Sequence, residues 1–76
     1  MAGKPIPEDC ILHKCKSLGA RGGKKRWLSE DEKRIYTWDS LHGEIEVYNL
    51  RGLHLGVIDC DGDLTKEAVK GRKIDV

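Results

Sequence analysis

No apolar run in this chain approaches the length of a bilayer-spanning helix, and the opening "MAGKPIPEDC" lacks the apolar middle of a signal peptide. The chain is therefore expected to make no membrane contact of its own and to depend on something else for export. Cysteine is scarce as well. Cys10, Cys15 and Cys60 are too few for a disulfide scaffold and cannot all pair within the chain, which favours a reducing compartment. With 76 residues there is room for one domain with a modest core and none for a separate regulatory unit. Internal repeats and low-complexity segments are absent.

Acidic residues are missing where basic ones gather. Between Lys14 and Arg26 there are six basic residues and no acidic one, around the glycine-rich "LGARGGKKRW". The net charge of +1 thus hides a dipole, with +4 over residues 1–38 and −3 over residues 39–76. Glycines discourage a helix there, so residues 21–26 are expected to form a basic arm. Lys24, Lys25 and Arg26 would lie along phosphates with Trp27 available to stack, or the arm is simply a solvated linker. It is not a P-loop, because Lys25 follows the Gly-Lys pair where Ser or Thr is required.

Periodicity supplies the elements. Cys10, Ile11, Cys15 and Leu18 recur at helix-like intervals, which predicts a short helix within residues 1–20, ending at Gly19. "KRIYTW", "GEIEVYN" and "LHLGVID" alternate and predict three strands of a sheet core over residues 27–76, with a possible last strand bringing Arg72 or Lys73 to the sheet. A three-residue loop, Leu50–Gly52, would pair Tyr48 with His54, Val47 with Leu55 and Glu46 with Gly56. That register places Ile45, Val47, Leu53, Leu55 and Val57 on one face and Glu44, Glu46, Tyr48 and His54 on the other. A two-residue loop would pair Glu46 with Val57 and mix polar with apolar residues, so it is rejected. Gly56 opposite Glu46 would leave a gap through which a ligand reaches the carboxylate.

The stretch "YTWDSLHGEIEVY" concentrates the titratable chemistry. Asp39, His42 and Glu46 are able to hold a divalent cation, to serve as acid and base in a metal-free reaction, or merely to solvate the open face of a half-buried sheet. Crowding by Glu44 and Asp39 would favour a protonated Glu46, and flanking carboxylates a protonated His42. "DCDGD" has its glycine in the wrong place for a calcium loop, with Lys70 where the bidentate glutamate belongs, and is expected to be a turn. Cys10, His13 and Cys15, with Cys60 as a distant fourth, lack the second short-spaced pair of a zinc site, so the cysteines are expected to be free thiols.

One resemblance bears on these alternatives. The run "WDS-x-HGE-x-E-x-Y" over 38–48 is joined by "RW" at 26–27, "IY" at 35–36, "HLG" at 54–56, Asp59, Arg72 and Ile74. On these residues the chain resembles the cytotoxic ribonuclease domain of the ribosome-inactivating colicins and cloacin. The resemblance implies an α+β, mainly β fold, a compact and highly twisted antiparallel sheet with a short N-terminal helix. It implies a metal-independent endoribonuclease, without cofactor, that cuts small-subunit (16S) ribosomal RNA and not DNA at the decoding centre. Asp39, His42, Glu46 and Arg72 match the family's catalytic set, with Glu44, Tyr48 and His54 lining the site. An acidic cognate immunity protein is implied as partner, as is delivery within a larger secreted or contact-dependent toxin into the cytoplasm of a target bacterium. The chain departs from the family in a hairpin one residue shorter at 50–52 and in Thr65, followed by Lys66, where the family has lysine. The cationic stabiliser is then Arg72 or Lys73.

Overall fold

The structure, a computed structural model, describes residues 3–21 and 24–74. These form one six-stranded antiparallel sheet in which sequence neighbours are spatial neighbours: β1 (Lys16–Arg21), β2 (Lys24–Leu28), β3 (Arg34–Asp39), β4 (Glu44–Asn49), β5 (His54–Ile58) and β6 (Leu64–Glu67). β3 and β4 pair in register from Arg34↔Asn49 to Asp39↔Glu44, so alternation sends Tyr36, Trp38, Ile45 and Val47 to one face and Thr37, Asp39, Glu44 and Glu46 to the other. The first face is the core, in which Trp27, Tyr36, Ile45, Val47 and Ile58 pack with Cys10 and Leu12 from the N-terminal segment. That segment covers one side of the sheet; on the opposite side Thr37, Tyr48, His54 and Val57 are buried while Asp39, Glu44 and Glu46 stay partly exposed.

The expected N-terminal helix is not formed. Among the described residues, a single 3-10 turn, Ile11–Lys14, is the only helical element, and from Lys16 the chain is already extended as β1. The helix-like spacing of Cys10, Ile11, Cys15 and Leu18 arises otherwise: Leu12 and Cys10 are the buried pair, while Leu18 is exposed at an irregularity where β1 slips by one residue against β2. The basic arm expected over 21–26 is likewise a β-hairpin, closing from Lys16↔Leu28 to Arg21↔Lys24. The sheet therefore begins at residue 16 and not at 27. The arm's two central glycines, Gly22 and Gly23, lie outside the described residues.

The β4–β5 hairpin corrects the expected register halfway along. Its loop is the three-residue one: Asn49 N–H donates to Leu53 O at 2.9 Å, the Asn49 carboxamide oxygen accepts from Arg51 and Leu53 N–H, and Tyr48 pairs with His54. Beyond His54 the strand bulges at Leu55, so Gly56 pairs with Val47, Val57 with Glu46 and Ile58 with Ile45. The pairing of Glu46 with Val57, rejected on strict alternation, is the one found. The bulge puts Ile58 beside the fully buried Ile45 and leaves Leu53 and Leu55 exposed. No glycine gap therefore faces Glu46.

Gly56 makes the bulge possible. Its φ of +149° is disfavoured for other residues, and a Cβ there would meet Lys66 O at 2.8 Å. Gly56→Ala is expected to lower stability by on the order of 1–3 kcal/mol in urea unfolding. An equal loss from Gly71→Ala, also at positive φ but with nothing within 4 Å of its added Cβ, would show that strain alone sets the cost.

"DCDGD" forms the β5–β6 turn, with the Asp59 carboxylate accepting from Asp61 and Asp63 N–H. After β6 the tail doubles back: His54 N–H donates to Arg72 O at 3.0 Å, Ile74 N–H to Gly52 O at 2.8 Å, and Lys73 bridges to Leu53. The expected last strand is only this bridge, but it carries Arg72 to the open face.

Candidate active site

Glu46 stands at the centre of the open face, and two neighbours fix its carboxylate. Arg72 Nη1 donates to Oε1 at 2.8 Å and the Tyr48 hydroxyl donates to Oε2 at 2.8 Å. Arg72 thus supplies the cation here, while Lys73 engages Leu53 through its backbone. Burial and the Glu46 carboxylate push the Tyr48 phenol up to about 12, so it remains a donor. Thr37, buried on β3, is the cross-strand partner of Glu46.

His54 lies under this group and is not an exposed wall of the site. Its ring is buried edge-on against Tyr48, with centroids 5.3 Å apart. Val69 N–H donates to Nδ1 at 2.9 Å, so neutral His54 carries its proton on Nε2. Nε2 has no hydrogen-bond partner among the described residues and sits 3.8 Å from Glu46 Oε1. Burial lowers the His54 pKa below its usual 6.5, against the opposing pull of Glu46.

A second group is built on the β3–β4 turn. Asp39 Oδ1 accepts from Leu41 and His42 N–H, and Gly43 N–H closes the turn onto Asp39 O at 2.8 Å. Asp39 Oδ2 meets His42 Nδ1 at 2.7 Å, which leaves Nε2 of this half-exposed ring for other work. Burial opposes the charge on Asp39, but the hydrogen bonds from the His42 ring and the turn backbone outweigh it and hold the carboxyl below its usual value.

Glu44 has separate partners. Thr65 Oγ1 donates to it at 2.8 Å and Lys66 Nζ lies at 3.2 Å, and the two hold its carboxyl below the ordinary value. The carboxylate crowding expected around Glu46 is therefore absent, since each of the three acids has its own donor.

These groups line two adjoining clefts of about 300 and 350 Å³ that share Asp39, Glu46 and Arg72. The first also holds His42, Glu44 and Lys66; the second holds Lys24, Thr37 and Tyr48. Alternation along β2 puts Lys24 and Arg26 toward this face and Lys25 toward the other. Among the described residues no three His, Cys, Asp or Glu side chains converge as metal ligands would. Thr37 and Lys66 were not singled out from the sequence, although Thr37 shares strand parity with Asp39.

A sequence model of the family described as Cytotoxic matches residues 6–75. The chain belongs to this family. Cloacin of Escherichia coli is 43% identical over 54 residues, covering 70% of this chain and 9% of cloacin. Colicin E3 of Escherichia coli is 49% identical over 39 residues, covering 50% of this chain and 7% of the colicin. Colicin-E6 of the same organism is 46% identical over the same length. The chain thus spans less than a tenth of these relatives. It is a toxin domain of the cytotoxic family, and the matched residues include the turn and strand that carry Asp39, His42 and Glu46.

The buried histidine of this cytotoxic domain has a consequence for stability. Unfolded, His54 titrates near 6.5; folded, it titrates lower. Between those values the unfolded chain binds more protons, so stability is greatest above 6.5, falls as pH drops through the window and levels off below the folded value. Urea midpoints measured from pH 7.5 to pH 4.5 should show this decline. His54→Asn, which keeps an acceptor for Val69 N–H, should flatten it; an unaltered slope would place the acid-sensitive group elsewhere.

Proposed function

We propose that this domain is a metal-independent endoribonuclease that cleaves small-subunit (16S) ribosomal RNA at the decoding centre and so stops translation. The observation that carries the reading is the placement of a clamped carboxylate, a carboxylate-held imidazole and a guanidinium around one open cleft. Glu46 takes the proton of a ribose 2′-hydroxyl as its oxygen attacks the adjacent phosphorus. His42 Nε2 gives a proton to the departing 5′-oxygen, and the products are a 2′,3′-cyclic phosphate and a free 5′-hydroxyl. Arg72 stabilises the charge that builds on the phosphorane. Its hydrogen bond to Glu46 makes this an exchange, in which the more highly charged phosphorane draws the guanidinium off the carboxylate as the carboxylate is protonated. Tyr48 holds the other carboxylate oxygen, Asp39 orients His42, and Lys24 and Arg26 extend the cationic track for the RNA backbone.

Purified chain added to intact ribosomes in excess chelator should release a single small-subunit RNA fragment. No fragment with binding retained would instead make this a non-catalytic RNA-binding module; a fragment only on adding divalent metal would make it a metallonuclease.

Such an activity needs an inhibitor in the producing cell, and the exposed basic hairpin suits an acidic immunity protein. The domain would travel within a larger secreted toxin and act in the cytoplasm of the target bacterium. Association with that inhibitor should slow by about tenfold or more between low and high salt. Stopped-flow rates indifferent to salt would remove Lys16, Arg21, Lys24 and Lys25 from the encounter.

A further inference from the structure

The proposed chemistry uses none of the three cysteines, yet the fold gathers them beneath the N-terminal segment. Cys10 is 1% exposed in the core, and Cys15 and Cys60 pack against the same cluster. All three are free thiols. Ile11 N–H donates to Cys60 O at 3.0 Å, tying the residue after Cys10 to the turn after β5. The Cα atoms of Cys10 and Cys60 are each two bonds from an end of that hydrogen bond, which holds the two residues side by side. Both side chains are set against the same core cluster, and Cys10 is near enough to Cys60 to add to the rise that burial gives the Cys60 thiol. The Cys15 thiol is engaged differently, donating to Ile11 O at 3.3 Å.

From this geometry we propose that Cys10 and Cys60 form a thiol–disulfide site, which reacts with a disulfide-class oxidant and closes into an intrachain cross-link that pins the N-terminal segment over the core. Cys60, the more exposed of the two, attacks the external disulfide as its thiolate, breaks the S–S bond and releases one thiol, leaving a mixed disulfide. Cys10 then loses its proton and attacks the Cys60 sulfur, releasing the second thiol. Two protein thiols are oxidised and one external disulfide is reduced, the two cysteine protons leaving on the released thiols. Burial and the neighbouring Cys10 hold the Cys60 thiol up at about 12, so closure is slow at neutral pH and quickens as pH rises.

The link has a structural role because the segment is otherwise lightly held. Apart from its apolar contacts, Lys4 N–H donates to Ser40 O at 2.7 Å and Trp38 Nε1–H to Lys4 O at 2.9 Å, besides the bond to Cys60. A cross-link between positions 10 and 60 restricts a long loop of the unfolded chain. It lies on the core side of the sheet, so it is independent of the reading given to the open face.

The test is to incubate the full chain with oxidised glutathione at about pH 8.5 and follow it by intact mass and non-reducing peptide mapping. The expected product is monomeric, about 2 Da lighter and linked Cys10 to Cys60, in both the wild-type chain and Cys15→Ser. Cys60→Ser, a change at a partly exposed position, should not form it. The thermal midpoint should rise by on the order of 10 °C on closure and return on reduction. A chain that stays reduced, carries only glutathione adducts, dimerises, links through Cys15 or gains no thermal stability would overturn the proposal.

Discussion

Replacing Glu46 by Gln is expected to reduce ribosomal RNA cleavage by about a thousandfold or more while leaving the unfolding midpoint and ribosome binding close to wild type. The separation of the two readouts follows from the hydrogen bonds around the side chain. Glutamine has the same shape; its oxygen accepts from Arg72 Nη1 and its amide donates to the Tyr48 hydroxyl, which turns from donor to acceptor. No buried group is orphaned by the change, and the apolar face of Ile45 and Val47 is untouched. An amide cannot take the 2′-hydroxyl proton, so the loss should fall on the chemical step and appear in kcat rather than KM. The wild-type rate should be bell-shaped in pH, losing the base on the acid side and the acid on the alkaline side. Near-full activity in Glu46→Gln with an unchanged profile would move the base to Asp39 or Glu44. Glu44 is the poorer substitute, because Lys66 and Thr65 already hold it as a stabilised carboxylate.

The same residues show how much of the molecule was legible beforehand. β3 and β4 could be placed because β4 alternates polar with apolar residues from Glu44 to Val47 and the register between the two strands runs without a break. Asp39, Glu44 and Glu46 then share a face by parity alone. β5 breaks that rule: one extra residue at Leu55 reverses the parity of everything after it, and only Gly56, at a backbone angle unfavourable to other residues, marks the place. β1 and β2 were hidden for another reason. Their hairpin is exposed along most of its length, so no apolar alternation betrays it, and glycine with charge looks the same in an exposed ladder as in a loop. Arg72 depended on the tail folding back across β5, a long-range contact that no local pattern encodes. His54 was placed on the correct face but at the wrong depth, because periodicity assigns a side and does not say what the tail will cover.

His42→Ala should also lose cleavage, by about a hundredfold to ten-thousandfold, and comparison with Asp39→Asn tells an acid from a scaffold. Among the described residues His42 is bonded through Nδ1 to Asp39 and through its backbone to the same carboxylate, and it is half exposed, so the alanine variant should fold and bind ribosomes normally. Asp39 has two roles that the asparagine change separates. The carboxamide oxygen still accepts from the turn at Leu41 and His42, so the turn survives. The amide that replaces Oδ2 presents a donor to Nδ1 and carries no charge, so it favours the wrong tautomer and ceases to stabilise the imidazolium. Asp39→Asn should therefore keep measurable activity, unlike His42→Ala, with the alkaline limb of its rate profile moved to lower pH. A purely structural Asp39 would lower activity at every pH alike and leave that limb in place. Should the limb persist unmoved in Asp39→Asn while His42→Ala remains active, the proton on the departing 5′-oxygen must come from elsewhere in the cleft, and Lys66 and Lys24 are the lysine donors lining it.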